Sequence, residues 1–223
     1  MKIGILSDTH DLLREEVIRQ LQGCDLILHG GDISSPEILE QLEEIAPVKA
    51  VCGNNDREWA EGLPDFLDFE AAGLRIYMTH KKKDLPGNPG RYDLMIYGHS
   101  HKYASDWQNA ADGRRTLLLN PGSCGPRRFH QPVTMALLQT DQDGFTVKRI
   151  EIARSAGEKA PGADSKDLRK QIETVIRETQ RGQSVKEIAK KYGMDEALAE
   201  QIARLYVTHP GVTADGIMTK MGL

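Results

Sequence analysis

Seven side chains of metal-binding type recur along this chain. Asp8 and His10 lie in Ser-Asp-Thr-His, Asp32 in His-Gly-Gly-Asp, and Asn54 in Gly-Asn-Asn-Asp. His80 follows Thr79, and His99 and His101 lie in Gly-His-Ser-His. Together they offer carboxylate, amide and imidazole donors and no thiolate. Mixed oxygen and nitrogen donors suit manganese, nickel, iron or zinc better than calcium or magnesium. A catalytic zinc usually takes three protein ligands, so this set exceeds what one open ion needs. It suffices for two divalent ions about 3.5–4 Å apart if one carboxylate is shared. Asp32 is the expected shared ligand, because the glycines before it let the backbone approach closely. Two divalent ions bring four positive charges, of which the two aspartates cancel two, while Asn54 and the imidazoles cancel none. The surplus would attract a phosphate ester and acidify a bound water.

Each group follows a short apolar run, at residues 2–6, 26–28, 48–52, 74–78 and 94–97. A sixth run, 117–119, precedes Asn120-Pro-Gly-Ser123. Runs of this length between turn residues read as buried strands. In α/β sheets, ligands bind beyond the carboxyl ends of the strands, so strands laid side by side would gather the polar groups along one rim. Between them, residues 11–22 place Leu12, Leu13, Val17, Ile18 and Leu21 on one side of a helix. Residues 36–45 read as a second helix, with Ser34 or Ser35 as N-cap and Pro36 in the first turn. Runs at 133–139 and 145–152, split by Asp141-Gln-Asp-Gly144, predict a hairpin. The pattern alone supports an α/β fold.

Asp-Thr-His, Gly-Asp, Gly-Asn-Asn-Asp, a lone His and Gly-His-Ser-His, in that order, resemble the calcineurin-like metallophosphoesterase superfamily. The likeness is closest to its small bacterial and archaeal phosphodiesterase branch, which also resembles this chain in Asn-Pro-Gly-Ser followed by Pro-Arg, here residues 120–127. It covers residues 1–152 and implies a two-sheet sandwich flanked by helices. Carried over by position, it implies that Asp8, His10 and His101 hold one metal and Asn54, His80 and His99 a second, with Asp32 bridging. Asp32, Asn54 and His80 would form the catalytic group. The implied reaction is in-line attack on a phosphodiester by a metal-bridging hydroxide, with manganese first among the four candidate metals.

Two positions depart from relatives of this pattern. Many phosphomonoester-cleaving relatives carry a His after the ligand Asn that helps protonate the leaving group, whereas this chain has Asn55. An amide is a poor acid at neutral pH, which favours diesters and predicts that Asn55→His raises monoester cleavage. After His80 this chain has Lys81-Lys82-Lys83 in place of Gly-His. These lysines read as a solvated basic loop, with phosphate contact as the alternative. Asn55 and Arg127 are the candidate substrate contacts, Arg127 as a phosphate clamp. Gly122 and Ser123 could offer backbone N–H groups, or Asn-Pro-Gly-Ser could serve simply as a turn. Asp56 is expected to fix the ligand loop and His29 to be a core or supporting histidine. His130 and His209 fall outside the set.

The chain has 223 residues and a net charge of −4. It enters a strand at once, predicting no signal peptide, and no apolar run approaches the ~20 residues of a membrane span. Cys24, Cys52 and Cys124 form no CxxC pair, which fits free thiols and a cytoplasmic setting. Residues 153–164 read as a linker and 165–223 as a small all-α module, with Ser184-Val-Lys-Glu187 as a capping box. Residues 184–206 resemble a helix-turn-helix. Its second helix carries Asp195, Glu196 and Glu200 against Arg204, and the chain from 153 onward has 12 Lys and Arg against 10 Asp and Glu. That is no basic footprint for DNA. Docking on the enzyme domain, self-association into a homo-oligomer or shaping the substrate entrance suits the module better. The functional classes to separate are a phosphodiesterase, a non-catalytic scaffold resembling the retromer subunit of this branch, and a nucleic-acid-targeted phosphodiesterase or regulator using the helical tail.

Overall fold

A computed structural model describes residues 1–56, 58–110, 112–126, 131–142, 144–153, 165–194 and 196–221. The chain divides into two compact units, Met1–Ala156 and Gly157–Leu223. Arg127, His130, Asp195 and linker residues 154–164 lie outside the described residues.

In chain order the first unit contains β1 (Lys2–Leu6), α1 (Glu15–Leu21), β2 (Leu26–His29), α2 (Pro36–Glu43), β3 (Val48–Ala50), β4 (Phe66–Ala71), β5 (Leu74–Thr79), β6 (Leu94–Ile96), β7 (Ala104–Asn109), β8 (Arg115–Asn120), β9 (Val133–Thr140) and β10 (Phe145–Ile152). One sheet has the order β10-β9-β1-β2-β3 and the other β4-β5-β6-β8-β7. The parallel strands are β1, β2 and β3 in the first sheet and β5, β6 and β8 in the second. These six follow the six apolar runs of the sequence.

Alternation along the strands makes the sandwich. Ile3, Ile5, Leu26 and Leu28 from one sheet are buried against Ile76, Met78, Leu94, Ile96, Leu117 and Leu119 from the other. Ile27 faces the opposite way and packs with Val17 and Leu21 of α1 and Ile38 and Leu42 of α2. At about 25 cal/mol per Å² of apolar area, each fully buried Leu or Ile contributes roughly 1.5–3 kcal/mol.

α1 is shorter than the 11–22 helix expected, because the chain before it is bent into the site. Asp11 N–H donates to the Ile33 carbonyl and Leu12 N–H to that of Thr9, so helical pairing begins only at Glu15. Strands β4 and β7 were not anticipated. They are the two edges of the second sheet: β4 shelters only alternate residues, and β7 is exposed at every residue after Ala104. Leu67, Phe69 and Ala71 lean on the core while Phe66, Asp68 and Glu70 are exposed, so neither edge carries a continuous apolar run.

The second unit is helical: α3 (Ser165–Gln180), α4 (Val185–Tyr192), α5 (Glu196–Thr208) and α6 (Ala214–Lys220). The predicted capping box is present, with Ser184 N–H donating to Glu187 Oε2 at 2.9 Å and Glu187 N–H to Ser184 Oγ at 3.4 Å. Gly193 ends α4 in the left-handed conformation at φ 61°. Ile172, Val175, Ile188, Ile202 and Ile217 form a core of the unit's own. Among the described residues, no helix is long and apolar enough to cross a membrane.

Candidate metal centre

Parallel β1, β2 and β3 deliver Asp8 and His10, Asp32, and Asn54 just beyond their carboxyl ends. Parallel β5 and β6 deliver His80, and His99 and His101. Both sheets present these ends at the same rim, and the side chains converge there. One ligand atom each from Asp8, His10, Asp32 and His101 lie within 4.8 Å of one another, and so do those of Asp32, His80 and His99. Asp32 belongs to both groups. Asn54 joins the second group through its Oδ1, 3.2 Å from His80 Nε2.

The turns holding these residues are conformationally unusual. Asp8, His10, Asp32, His99 and His101 all have left-handed backbones, with φ of 56°, 45°, 55°, 67° and 58°. Such a conformation costs a non-glycine residue about 1–3 kcal/mol and persists only where the surroundings impose it, typically at functional sites. The glycines between them are required by close approach. A Cβ on Gly53 would run into the backbone N and Oδ1 of Asp32, and one on Gly98 into Ser7 Oγ.

A second layer fixes the groups. Asp8 Oδ2 accepts from Ser7 Oγ at 2.6 Å and from the His99 N–H at 3.1 Å. Asp32 Oδ1 accepts from the Asn55 N–H at 2.8 Å and Oδ2 from Asn55 Nδ2 at 2.9 Å. Asp56 receives the N–H groups of Ile33 and Ser34 at 2.8 and 2.7 Å on Oδ1, and that of Gly53 at 2.8 Å on Oδ2, tying the Asp32 and Asn54 loops together. His80 Nδ1 lies 2.8 Å from the Gly30 carbonyl and therefore carries the proton, which turns the Nε2 lone pair to the centre. Buried Asn120 donates to the Gly98 carbonyl at 2.8 Å and to Ser100 Oγ at 3.0 Å, setting the His99–His101 turn. Ser123 Oγ donates to the Asp8 carbonyl at 2.8 Å. Asn-Pro-Gly-Ser thus works here as a brace. Sequence reasoning left Ser7 and Asn120 unassigned, although both lie in motifs it singled out.

Buried His29 accepts the Gly31 N–H on Nδ1 at 3.2 Å, so its Nε2 carries the proton and faces Thr9 Oγ1 at 3.0 Å. Burial pushes its pKa from 6.5 down to about 3, so it is a neutral supporting residue. The three cysteines are free, and burial pushes the Cys124 thiol up to about 12, unsuited to nucleophilic work. Lys82 lies over the Tyr97 ring at 5.4 Å, Lys83 is exposed, and Lys81 is half-buried beside His80.

The electrostatics favour a cation. Burial opposes ionisation of Asp32 and Asp8, but His80 and the Asn55 N–H hold Asp32 far below the usual carboxylate range, and His101 lowers the pKa of Asp8. Burial works against protonation of His80, and Asp32 together with Asp8 overrides it, raising the pKa. His99 is pushed down by burial and by His80. Asp8 Oδ1 faces His101 Nε2 at 3.1 Å, yet neither it nor His101 Nδ1 has a hydrogen bond of sound geometry among the described residues. His10 Nε2 points at His101 Nε2 across 3.1 Å. Two imidazole nitrogens and a bare carboxylate oxygen aimed at one point are the donor set of a divalent ion, and the residues present fit it.

Residues 1–143 match the family model described as the calcineurin-like phosphoesterase superfamily domain. The chain belongs to this superfamily. A probable metallophosphoesterase of Methanothermobacter thermautotrophicus is 34% identical over 152 residues, 61% of this chain and 85% of that protein. A phosphodiesterase of Methanocaldococcus jannaschii is 32% identical over 166 residues, 65% of this chain and 96% of that one. Among solved structures, Vps29 of Chaetomium thermophilum is similar in fold at a TM-score of 0.52 and 17% identity, covering 70% of this chain and 100% of its own. A Streptococcus pneumoniae protein described as a predicted phosphoesterase has a TM-score of 0.50 at 24% identity, covering 70% and 93%. Both show the two-sheet calcineurin-like fold. Membership of a metal-dependent phosphoesterase family accounts for Asp and His groups gathered at the sheet rim.

Proposed function

We propose that the first unit is a phosphodiesterase working with two divalent cations. Asp8, His10 and His101 would hold one, Asn54, His80 and His99 the other, and Asp32 both. The observation that carries this is the position of Asp32, common to two clusters of donors at the joint rim of both sheets. Bound divalent ions would supply Lewis acidity toward the phosphoryl oxygens and lower the pKa of water toward about 7. The chain's own residues supply the rest. Asn55 fixes the two oxygens of Asp32, Gly30 fixes the tautomer of His80, and Asp8 is locked by Ser7 and the His99 backbone. These contacts hold the donors in place before substrate arrives, so little reorganisation is needed as charge develops.

Residue 55 offers no proton to a leaving group. Its amide is engaged with Asp32 and is not an acid near pH 7. This favours diesters and esters with good leaving groups over alkyl monoesters. The name of the M. jannaschii relative agrees. Manganese is the first metal to try, with nickel, iron and zinc as the other members of a screen.

The test is a metal-by-substrate screen on purified protein, with bis-p-nitrophenyl phosphate, cyclic nucleotides and p-nitrophenyl phosphate. Metal-dependent diester turnover exceeding monoester turnover is expected. Bound metal without turnover of any ester would instead favour a scaffold.

A further inference from the structure

A cleft of about 380 Å³ opens beside Asn54 and His80 and runs along the second sheet to Phe66 and Tyr77. That size is at the small end of the roughly 300–1,000 Å³ of small-molecule sites. Phe66 and Tyr77 stand on adjacent strands, β4 and β5, whose register pairs Phe66 with Thr79 and Asp68 with Tyr77. Phe66 is on the face turned away from the sandwich and is 54% exposed. Its ring lies nearly parallel to that of Tyr77, with centroids 5.4 Å apart and planes 12° apart. An exposed phenyl buttressed by a second ring is a flat, preorganised platform, the geometry on which planar groups stack.

The charges on the walls narrow the occupant. Asp65 and Asp84 are exposed carboxylates on the cleft and Lys81 is its cation. The excess of negative charge is unfavourable to an arm carrying a further phosphate. It accepts an uncharged one, whose N–H or O–H groups the carboxylates can receive.

We infer that this cleft is the subsite for an uncharged, planar aromatic arm of the phosphodiester, stacked on Phe66. The inference rests on the phosphodiesterase reading for the word diester. Its substrate class is an aryl or nucleoside-type phosphodiester, in preference to alkyl diesters and to diesters bearing additional phosphates.

Calorimetric titration of the full-length protein supplemented with manganese tests it, using phenylphosphonate and methylphosphonate, which share a head group and differ in the arm. Wild type should bind the phenyl compound about tenfold more tightly. Phe66→Ala should bring that ratio close to one, and Phe66→Tyr should preserve it. Circular dichroism and thermal melting confirm that both variants are folded, as expected for an exposed edge residue. Equal affinities in wild type overturn the inference, as does a ratio that Phe66→Ala leaves unmoved, or no binding of either compound to metal-loaded protein. A preserved phenyl preference without hydrolysis of bis-p-nitrophenyl phosphate would reject the phosphodiesterase reading and leave the subsite standing. Hydrolysis without the preference would reject the subsite alone.

Discussion

Asn55 grips both oxygens of Asp32, through its backbone N–H to Oδ1 at 2.8 Å and its side-chain Nδ2 to Oδ2 at 2.9 Å. The carboxylate proposed to serve two cations is thereby held in one orientation. Removing such a support from a metal ligand typically costs 10- to 100-fold in metal affinity or activity, so Asn55→Ala should lose about that much diester kcat/KM. Asn55→His loses the same amide contact but places an imidazole beside the site. Its diester activity should fall while the ratio of monoester to diester turnover rises. Steady-state rates on bis-p-nitrophenyl and p-nitrophenyl phosphate decide this, and an unchanged ratio counts against the assignment of residue 55.

Asp32→Asn keeps the shape of the side chain and removes the charge common to both donor clusters. Turnover should drop to near background. Metal content measured by plasma emission after gel filtration should fall from two equivalents toward one or fewer. Retention of two equivalents with full activity would remove Asp32 from the centre.

Gly98 lies where any side chain would overlap Ser7 Oγ and crowd Asp8 Oδ2. Both atoms belong to a buried, hydrogen-bonded pair that cannot move aside. Gly98→Ala should therefore displace the His99–His101 turn and lower both the melting temperature and activity, with overpacking costing about 1–3 kcal/mol. A variant with wild-type melting and turnover would show the turn to be more pliable than its contacts imply.

Legibility in the sequence followed burial. β1, β2, β6 and β8 are buried along most of their length and β5 on its core-facing residues, so they read as apolar runs, and the residue types after them mark the site. Edge strand β4 is sheltered on one face only and β7 is exposed after its first residue, and their mixed composition gave no sign of pairing. The left-handed backbones of Asp8, His10, Asp32, His99 and His101 were equally hidden. Asp and His tolerate that conformation without requiring it, so no residue type announces it as glycine would. Asp56 and His29 could be placed near the ligands by adjacency. The brace made by Asn120 could not, because it spans from residue 120 to the turn at 98–100, a contact that exists only once β6 and β8 are paired.

His29 makes a prediction that needs no metal. Burial holds its pKa near 3, against 6.5 when exposed. Below pH 6.5 the unfolded chain takes up a proton that the folded protein refuses until about pH 3. The stability His29 contributes is therefore complete above pH 6.5 and is lost as pH falls toward 3, by an amount on the order of a few kcal/mol. His29→Gln can still donate to Thr9 but does not titrate. Denaturant titrations of metal-free protein from pH 7 to 4 should give a shallower acid decline for the variant, whatever its stability at pH 7. Parallel declines would mean that His29 is protonated in the fold.

The two units close their cores separately. Ile3, Ile5, Leu28, Ile76 and Leu119 belong to the first unit, and Ile172, Ile188, Ile202 and Ile217 to the second. The seven donors all come from the first, and the M. jannaschii relative is matched over 96% of its length by 65% of this chain. A chain ending at Ala156 should then melt cooperatively, bind manganese and retain most of its diester kcat/KM. We propose that the helical unit does not target nucleic acid, since α5 carries Glu196 and Glu200 and phosphate contact needs Lys or Arg. Full-length and truncated proteins should therefore cleave single-stranded oligonucleotides at equal rates in low salt. A rate that falls on truncation only for the oligonucleotide, and falls further as salt is raised, would reassign the helical unit to nucleic-acid targeting.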